Sequence, residues 1–314
     1  KKYDDFNRSV SLLVECIKKK EKICIFGDYD VDGSTATAIL VRFFKKLKHP
    51  FFFYIPDRII HGYGPSIKTF KEVISQKPKL CILVDCGSSS YNEIELLNKN
   101  KIKSLIIDHH QIQKPFPKAN FIINPCKDNG YKKFDYLCAT ALTYFFLDLV
   151  IKKMKLNLKI NDFLIYVLLA TVCDVMPLRK LNRLIAIHAL KNFDIYKNKI
   201  FREIYNLNKK KNKISINDLG FMIGPILNAG GRLGKSDYAC DLLSSVDDNE
   251  IKKISLDLFK LNEKRRLIEN NIIKEIDFNT INKHKNFILL YKNNINEGLI
   301  GIIAARLKDY FNKP

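Results

Sequence analysis

The sequence predicts an α/β protein with a mostly parallel sheet and helices on both of its faces. Short apolar runs alternate along the first half of the chain with longer stretches whose apolar residues have helical spacing. Such runs are typical of strands that helices cover on both faces, and strands joined through helices pair in parallel. The length of 314 residues allows a sizeable core and more than one domain.

The individual elements follow from this pattern in chain order. An apolar stripe predicts a helix within residues 6–20, and apolar runs predict strands at 22–26, 51–55, 80–84, 104–107 and 121–123. Further helices are predicted at 34–47, 137–151, 163–171 and 300–307, and a later strand at 287–291. The polar stretch 196–215 is predicted to be a surface connection, and 251–276 a long exposed helix that joins two parts of the chain.

Composition narrows the class of protein. The net charge of +21 suits a polyanion such as nucleic acid, although a general bias towards Lys, Asn and Ile would produce the same excess. The eight cysteines form no C-x-x-C pair, which indicates reduced thiols in a cytoplasmic protein and argues against a disulfide framework or a zinc ribbon. No apolar run is long enough for a membrane span and no signal peptide is recognisable, so no membrane association is expected.

Three aspartates crowd into the segment GDYDVDG, residues 27–33, directly after the first predicted strand. The spacing is that of a calcium-binding EF-hand loop at its start. Such a loop needs a Glu at its twelfth position, which counted from Asp28 is Ile39, and it follows a helix instead of a strand. The segment therefore predicts a cation site of a different kind, whose other ligands come from elsewhere in the chain.

Acids and histidines follow three more apolar elements at the point where each one ends. Asp85 follows the strand 80–84, the triplet Asp108-His109-His110 follows the strand 104–107, and Asp174 comes just after the helix 163–171. Because ligands in an open α/β sheet gather at the carboxyl ends of strands, these side chains are expected to converge. Carboxylates with imidazole suit Mn²⁺ or Mg²⁺, and several carboxylates in one pocket suit two ions.

Each of these residues taken alone also has a structural interpretation. Asp85 is typical of a turn, Asp174 of a helix end, and paired histidines of an ordinary surface or core. Their occurrence together at four element ends favours a metal site. Two ions that share a carboxylate activate water and stabilise both oxygens of a phosphoryl displacement, so the acids predict hydrolysis of a phosphate ester.

At these residues the sequence resembles the DHH phosphoesterases, and within them the bacterial RecJ single-strand-specific exonucleases. The four matching segments are GDYDVDG (27–33), VDCG (84–87), IDHH (107–110) and CDVMPL (173–178). Segments outside the acids agree as well, namely IPDRIIHGYG (55–64), INPC (123–126), GPILNAGGRLG (224–234) and EGLIGIIAARL (297–307). The resemblance therefore covers essentially the whole chain.

The resemblance implies roles for individual residues. The expected metal ligands are Asp28, Asp30, Asp32, Asp85, His109 and Asp174, with Asp85 bridging two ions of Mn²⁺ or Mg²⁺. His110 is expected to act on the substrate phosphate or its leaving oxygen, and Asp108 to orient the histidines. The expected substrate-binding residues are Arg58, Asn228, Arg232, Asn296, Gly298, Gly301 and Arg306.

The same resemblance implies a domain organisation. Residues 1–245 are expected to form a DHH domain with a helical carboxyl-terminal part, 246–280 a connecting helix, and 281–314 the start of a second α/β domain, called DHHA1. RecJ proteins usually have His at the position of Asn296, so phosphate binding is expected to survive there without a titratable group. The chain is expected to be a fragment or a truncated natural protein, because the DHHA1 domain and the usual nucleotide-binding barrel are incomplete or absent.

The function implied by the resemblance is metal-dependent hydrolysis of single-stranded DNA from its 5′ end, in DNA repair and recombination in the cytoplasm. A single-strand-binding protein and a helicase are the implied partners. Two alternatives stay open. One is a DHH phosphodiesterase that acts on short oligonucleotides, and the other is a nucleic-acid-binding protein with an inactive site, which the complete set of acids disfavours.

Overall fold

A computed structural model describes residues 4–62, 64–127, 132–276, 286–291 and 295–314. Its centre is a parallel sheet whose strands are β1 (Ile23–Gly27), β2 (Phe51–Tyr54), β3 (Leu80–Val84), β4 (Lys103–Ile107) and β5 (Phe121–Ile123). The strands lie in the order β2-β1-β3-β4-β5, and all neighbours are parallel. The predicted α/β class and the first five predicted strands are confirmed.

Helices flank this sheet and then continue as a mainly helical second half. In chain order they are α1 (Asp4–Lys18), α2 (Val31–Leu47), α3 (Arg58–His61), α4 (Ile67–Ser75), α5 (Tyr91–Lys99), α6 (Ala139–Met154), α7 (Leu164–Cys173), α8 (Lys180–Asn192), α9 (Lys199–Leu207), α10 (Ile216–Asp218), α11 (Gly224–Arg232), α12 (Tyr238–Ser244), α13 (Asp248–Lys274) and α14 (Glu297–Phe311). A π-helical turn, Leu219–Ile223, joins α10 to α11. None of the described helices combines the length and the apolar content needed to cross a lipid bilayer.

Side chains of successive strand residues point alternately into two apolar cores, one on each face of the sheet. Ile25 and Ile82 belong to the larger core, which α1, α2, α6 and α7 cover. Phe26 and Leu83 belong to the smaller core, which lies under α4 and α5. Both faces are therefore buried, which explains why the strands are apolar throughout instead of alternating with polar residues.

The strand order reverses between β1 and β3, because the chain goes from β1 outward to β2 and then returns to form β3 on the other side. In open parallel sheets a crevice forms at the carboxyl ends of the strands where the order reverses. The loops after β1 and β3 lie at this crevice, and they carry the aspartate segment 27–33 and Asp85.

Three predicted elements differ from the structure. The helix predicted at 34–47 begins at Val31, because Asp30 caps it by accepting the Gly33 N–H at 3.0 Å. The predicted surface connection 196–215 contains α9, whose apolar residues four apart form a buried stripe. The strand predicted at 287–291 is not formed, since no described strand lies beside this segment.

The long helix predicted at 251–276 is α13, and it is less exposed than predicted. Ile251, Ile254 and Leu258 on one of its faces are buried in the larger core. Near its carboxyl end, Ile272 packs with Leu299 and other residues of α14 in a third apolar cluster. The predicted domain boundary at 280–281 and Tyr63 of the segment 55–64 lie outside the described residues.

Candidate metal centre

The aspartate segment after β1 is divided between a loop and the first turn of α2. Asp28 is buried, and its Oδ1 accepts the Tyr29 N–H at 2.7 Å. Asp30 caps α2 through its side chain, and burial together with the charge of Asp32 raises the pKa of Asp30. The short loop therefore directs three carboxylates towards one edge of the sheet.

Asp32 is fixed by the amino end of α6. Its two carboxylate oxygens accept the N–H groups of Ala139 at 2.7 Å and Thr140 at 2.8 Å. The Thr140 hydroxyl also donates to the backbone carbonyl of Asp32, at 2.9 Å. The unpaired N–H groups at a helix amino end bind a carboxylate well, so the amino end of α6 holds the Asp32 side chain rigidly in place.

Asp85 lies directly after β3 in a strained and buried position. Its φ of 59° is in the left-handed region, which a non-glycine residue adopts at a cost. Burial raises the pKa of Asp85 well above its usual value, and the nearby charges of Asp32 and Asp30 add to the effect. Among the described residues its Oδ1 has no hydrogen-bond partner. A buried oxygen in this state needs a cation or a proton.

His109 points its Nε2 at three of the acids. The distances from this atom are 3.3 Å to Asp85 Oδ1, 3.4 Å to Asp174 Oδ2 and 3.7 Å to Asp32 Oδ2. The Nε2 atom of His109 is buried and, among the described groups, has no hydrogen-bond partner. Four donor atoms therefore converge from the first turn of α2 and from the residues that follow β3, β4 and α7, as the sequence predicts.

Asp174 caps the carboxyl end of α7 and faces the same point. Burial raises the pKa of Asp174 to about 6, and the charge of Asp32 contributes. The acids thus repel one another in a place where water screens them poorly. A bound cation would remove this repulsion.

Asp108 and His110 form a pair beside the acids. Asp108 is fully buried, and its Oδ1 lies 2.7 Å from His110 Nδ1. Burial alone would raise the pKa of Asp108, but hydrogen bonds from His110 and Ser88 outweigh it and lower the pKa to about 2. The same hydrogen bond raises the pKa of His110 to about 9. His110 therefore carries a proton at neutral pH while its ring is 48% exposed.

Three overlapping groups of donors could each hold a metal ion. In each group, one ligand atom per residue lies within 4.8 Å of the others, and the groups are Asp28, Asp30 and Asp85; Asp32, His109 and Asp174; and Asp85, His109 and His110. Asp85 and His109 occur in two groups each. Carboxylate and imidazole donors with two unsatisfied buried atoms fit hard divalent cations.

Arg58 is held over the aspartate segment by Tyr29. Its guanidinium lies 5.5 Å from the centre of the Tyr29 ring and donates a hydrogen bond to the Tyr29 hydroxyl. The ring itself lies against Gly231, where a Cβ would come within 2.3 Å of Tyr29 Cδ2. Arg58 on α3 and the carboxyl end of α11 are therefore joined through one aromatic ring.

Arg232, Asn296 and Gly298 lie together where α11 meets α14. Arg232 donates to the Gly298 carbonyl at 2.7 Å, and Asn296 caps α14 by accepting the Gly298 N–H at 2.8 Å. The Oδ1 atom of Asn228 is buried and, within the described part of the chain, lacks a hydrogen-bond partner. Burial lowers the pKa of Arg232.

Two of the predicted substrate residues have other surroundings. Arg306 contacts α13, with its guanidinium 3.1 Å from Glu269 and 3.2 Å from Asn270 Oδ1. Gly301 is exposed on α14, and nothing lies within 4 Å of the position that its Cβ would take. The structure therefore brings the metal-site residues together but places these two on a different part of α14.

Sequence reasoning missed several residues that hold the site in place. The Asn124 side chain donates to the Ser88 hydroxyl at 2.8 Å and to the His110 carbonyl at 2.9 Å, which links the loops after β3, β4 and β5. Ala139 and Thr140 hold Asp32 from 107 and 108 residues away. Asn124 lies in the segment INPC, so its position next to a strand end was the available signal.

A cavity of about 530 Å³ opens beside the acids. Its walls come from the loop after α3, from the loop after β3 and the first turn of α5, and from the Asp108–His110 pair. The volume is within the range of small-molecule binding sites. A ligand in this cavity would have Asp85 and His110 at one end.

Comparisons with known proteins agree with this geometry. Residues 22–172 match the DHH family, N-terminal domain. The single-stranded-DNA-specific exonuclease RecJ of Haemophilus influenzae is 31% identical over 326 residues, which cover 98% of this chain and 56% of that protein. The RecJ of Bacillus subtilis is 27% identical over 99% of this chain and 40% of its own length. A crystal structure of RecJ bound to manganese has a TM-score of 0.87 at 24% identity and covers 98% of this chain and 78% of that one.

Residues 22–172 are therefore a DHH domain, which defines the class of protein. Over nearly its whole length the chain is homologous to the RecJ single-stranded-DNA-specific exonucleases. The chain spans about half the length of the curated relatives that it matches. The predicted family resemblance is confirmed.

Proposed function

We propose that this protein hydrolyses phosphodiester bonds in single-stranded DNA from the 5′ end, with two divalent cations, in DNA repair and recombination. The observation that carries the proposal is the pair of buried, unsatisfied atoms Asp85 Oδ1 and His109 Nε2, 3.3 Å apart among further carboxylates. A folded protein keeps such a costly arrangement where a bound cation compensates for it.

Mn²⁺ or Mg²⁺ suits the donors best. The proposed ligands are Asp28, Asp30, Asp32, Asp85, His109 and Asp174. Asp85 would be the ligand shared by two ions, because it belongs to two donor groups and, unlike the imidazole of His109, has two carboxylate oxygens. The similar RecJ structure is bound to manganese, which supports the choice of ion. When bound, such ions polarise the phosphate and lower the pKa of water, so that a nucleophile forms at neutral pH.

The remaining residues of the site prepare the substrate for cleavage. His110 is held protonated by Asp108, so its ring can donate a proton to the leaving oxygen of the phosphodiester. Asn124 holds the His110 backbone, which limits movement of that ring. Arg58 and Arg232 carry positive charge on the side of α3 and α11, where a guanidinium can bind a phosphate through two hydrogen bonds.

The further parts of the proposal rest on the RecJ relatives. Residues 1–245 form the DHH domain with its helical part, α13 is the connecting helix, and the segment that follows it begins a DHHA1 domain. Asn228, Asn296, Gly298, Gly301 and Arg306 bind the strand from α11 and α14. A single-strand-binding protein and a helicase are the proposed partners, and the cytoplasm is the proposed location.

The test is a nuclease assay with Mn²⁺ on single strands labelled at the 5′ or the 3′ end. The wild-type chain should release 5′-labelled mononucleotides and should not cut a matching duplex. Asp85→Asn should reduce the rate at least 1,000-fold, because removal of a metal ligand removes the activated water. Asp148→Asn, which removes the charge of a half-buried acid paired with Lys152 on α6, is the matched control and should leave the rate unchanged.

Two results would contradict the proposal. Equal rates for wild-type and Asp85→Asn chains would show that the acids are not the reaction centre. Cleavage of di- and trinucleotides with no cleavage of a 20-nucleotide strand would instead support a phosphodiesterase for short oligonucleotides.

A further inference from the structure

The outer face of α8 has an unusual combination of charge and apolar exposure. Apart from Asn192 at its carboxyl end, its exposed residues are Lys180, Arg183, Leu184, Ile187, His188 and Lys191, and we call these six the α8 face. Leu184 is 63% exposed and Ile187 is 56% exposed. The helix contains no Asp or Glu. Within the described part of the chain, Lys180, Arg183 and Lys191 form no ion pair with a carboxylate.

A general excess of lysine does not explain this face. On three other surface helices a lysine is paired with an acid one turn earlier: Lys19 with Glu15 on α1, Lys99 with Glu95 on α5, and Lys152 with Asp148 on α6. Compositional bias would add lysine to all of these helices alike. The α8 face differs because it has cations but no acid. Its apolar side chains are also exposed to solvent.

The position of α8 ties this face to the proposed metal centre. Only the five residues 175–179 separate Asp174 from the start of α8. Val175 has a φ of 54°, which turns the chain sharply after Asp174, and its side chain is 87% exposed. Asn182 anchors the helix by donating to the carbonyls of Tyr136 at 2.6 Å and Pro177 at 3.1 Å. The face therefore lies on an anchored helix whose first residue follows Asp174 after only five residues.

We propose that the α8 face binds the single strand beyond the bond that is cut. This inference rests on the proposed function and adds a binding surface to it. Lys180, Arg183 and Lys191 would contact phosphates, and Leu184 and Ile187 would contact the faces of unstacked bases. Single-strand binding surfaces combine positive charge with side chains that bases stack on, usually aromatic ones, and they extend over four or more nucleotides. On α8 the aliphatic side chains of Leu184 and Ile187 would take this part. α8 has 13 residues and is about 20 Å long, which is enough for such a contact.

Salt-dependent binding of a fluorescent 20-nucleotide strand, without divalent cations, tests the inference. Each phosphate contact on a single strand contributes about 0.7 to the slope of log affinity against log salt. The triple variant Lys180→Ala, Arg183→Ala, Lys191→Ala should therefore have a slope shallower by about 2. The charge-matched control Lys18→Ala, Lys20→Ala, Lys101→Ala changes exposed cations next to the amino ends of β1 and β4, and it should bind like the wild type.

A second variant separates base contacts from phosphate contacts. Leu184→Ser with Ile187→Ser should weaken binding several-fold at every salt concentration and leave the slope unchanged. Both positions are exposed, so melting temperatures within about 2 °C of the wild type should confirm that the fold is intact.

Cleavage of a dinucleotide distinguishes failure of this inference from failure of the proposed function. A dinucleotide is too short to extend from the metal centre along α8, so wild-type and triple-variant chains should cleave it equally. An unchanged salt slope in the triple variant, with normal cleavage by the wild type, would overturn the inference and leave the function standing. In that case, binding of an acidic peptide by the wild type but not by the triple variant would assign the face to a protein partner. A wild-type chain that neither binds nor cleaves single strands would overturn both.

Discussion

At the scale of single residues, close contacts fix the charged groups of the site. One of these contacts is between Gly231 and Tyr29, because the Tyr29 ring occupies the space that a Cβ at Gly231 would need. We predict that Gly231→Ala displaces Tyr29, and with it Arg58, costing about 1–3 kcal/mol of stability. The Michaelis constant for a single strand should rise about tenfold with a smaller change in kcat.

The control for this variant is Asn206→Ala. Asn206 is exposed on α9 and has no role in the proposed site, so the change to a better helix former should stabilise the chain slightly or have no effect on it. If both variants had the same melting temperature and the same Michaelis constant, the contact between Tyr29 and Gly231 would not position Arg58.

Asp241 on α12 gives a prediction about pH that does not involve the metal centre. Burial, with repulsion from Asp237 and Glu250, raises the pKa of Asp241 to about 6. The folded chain therefore binds this proton more tightly than the unfolded chain, whose Asp has its usual pKa of about 4. The resulting stabilisation is present below pH 4 and is lost as the pH rises to 6.

Replacing Asp241 by Asn removes the buried charge that destabilises the folded chain above pH 6. We predict that Asp241→Asn raises the melting temperature at pH 7.5 by about 1–3 °C, and that the difference disappears near pH 4. Thermal melts at a series of pH values measure it, with Asp148→Asn as the control. A constant difference across the range would mean that a change in packing, and not the lost charge, causes the effect.

At the scale of elements, a buried acid joins α14 to α13. Glu269 is fully buried, and its two oxygens lie 2.6 Å from Arg265 and 3.1 Å from Arg306. Removing one member of a buried ion pair leaves the other charge without a partner, which costs about 3–5 kcal/mol. We predict that Glu269→Gln loosens α14, so that its amides exchange with deuterium at least tenfold faster while those of the sheet do not.

Lys308→Gln is the matched control for this variant, because Lys308 pairs with Asp309 on the exposed side of the same helix. The amides of α14 in Lys308→Gln should exchange with deuterium at the same rate as those of the wild type. Faster exchange in β1 and β3 as well as in α14 would show that Glu269 supports the whole fold and not the attachment of one helix.

Elements whose pattern is local were predictable, and those that depend on a distant partner were not. The five strands were found because helices cover both faces of the sheet, so each strand is largely apolar, although β2 at the edge of the sheet is only half-buried. The strand at 287–291 was predicted from the same kind of run, but a strand also needs a neighbour, and pairing cannot be read from composition. The acids follow the ends of apolar elements, so their convergence could be predicted from the sequence. Thr140 on α6 lies 108 residues from Asp32, and no local pattern indicates its contact with that residue.

At the scale of the whole molecule, the carboxylates of the metal centre oppose folding unless a cation is bound. Burial and mutual repulsion raise the pKa of Asp30, Asp85 and Asp174 together. A ligand that binds only the folded chain stabilises it by about 2.7 kcal/mol at one hundred times its dissociation constant. We predict that saturating Mn²⁺ raises the melting temperature at pH 7.5 by several degrees and that a chelator reverses the rise. The same increase in Asp85→Asn would mean that Mn²⁺ stabilises the chain at another place.

The most direct test of the central claim is the number of Mn²⁺ ions that the chain binds, measured by electron paramagnetic resonance of free Mn²⁺ during a titration. Asp85→Asn is the informative variant, because Asn tolerates the left-handed backbone at this position and keeps the size of the side chain. The account predicts two tightly bound ions per wild-type chain, at least one of them lost in Asp85→Asn and both retained in Asp148→Asn. Absence of tight binding in the wild type, or two ions still bound to Asp85→Asn, would contradict it.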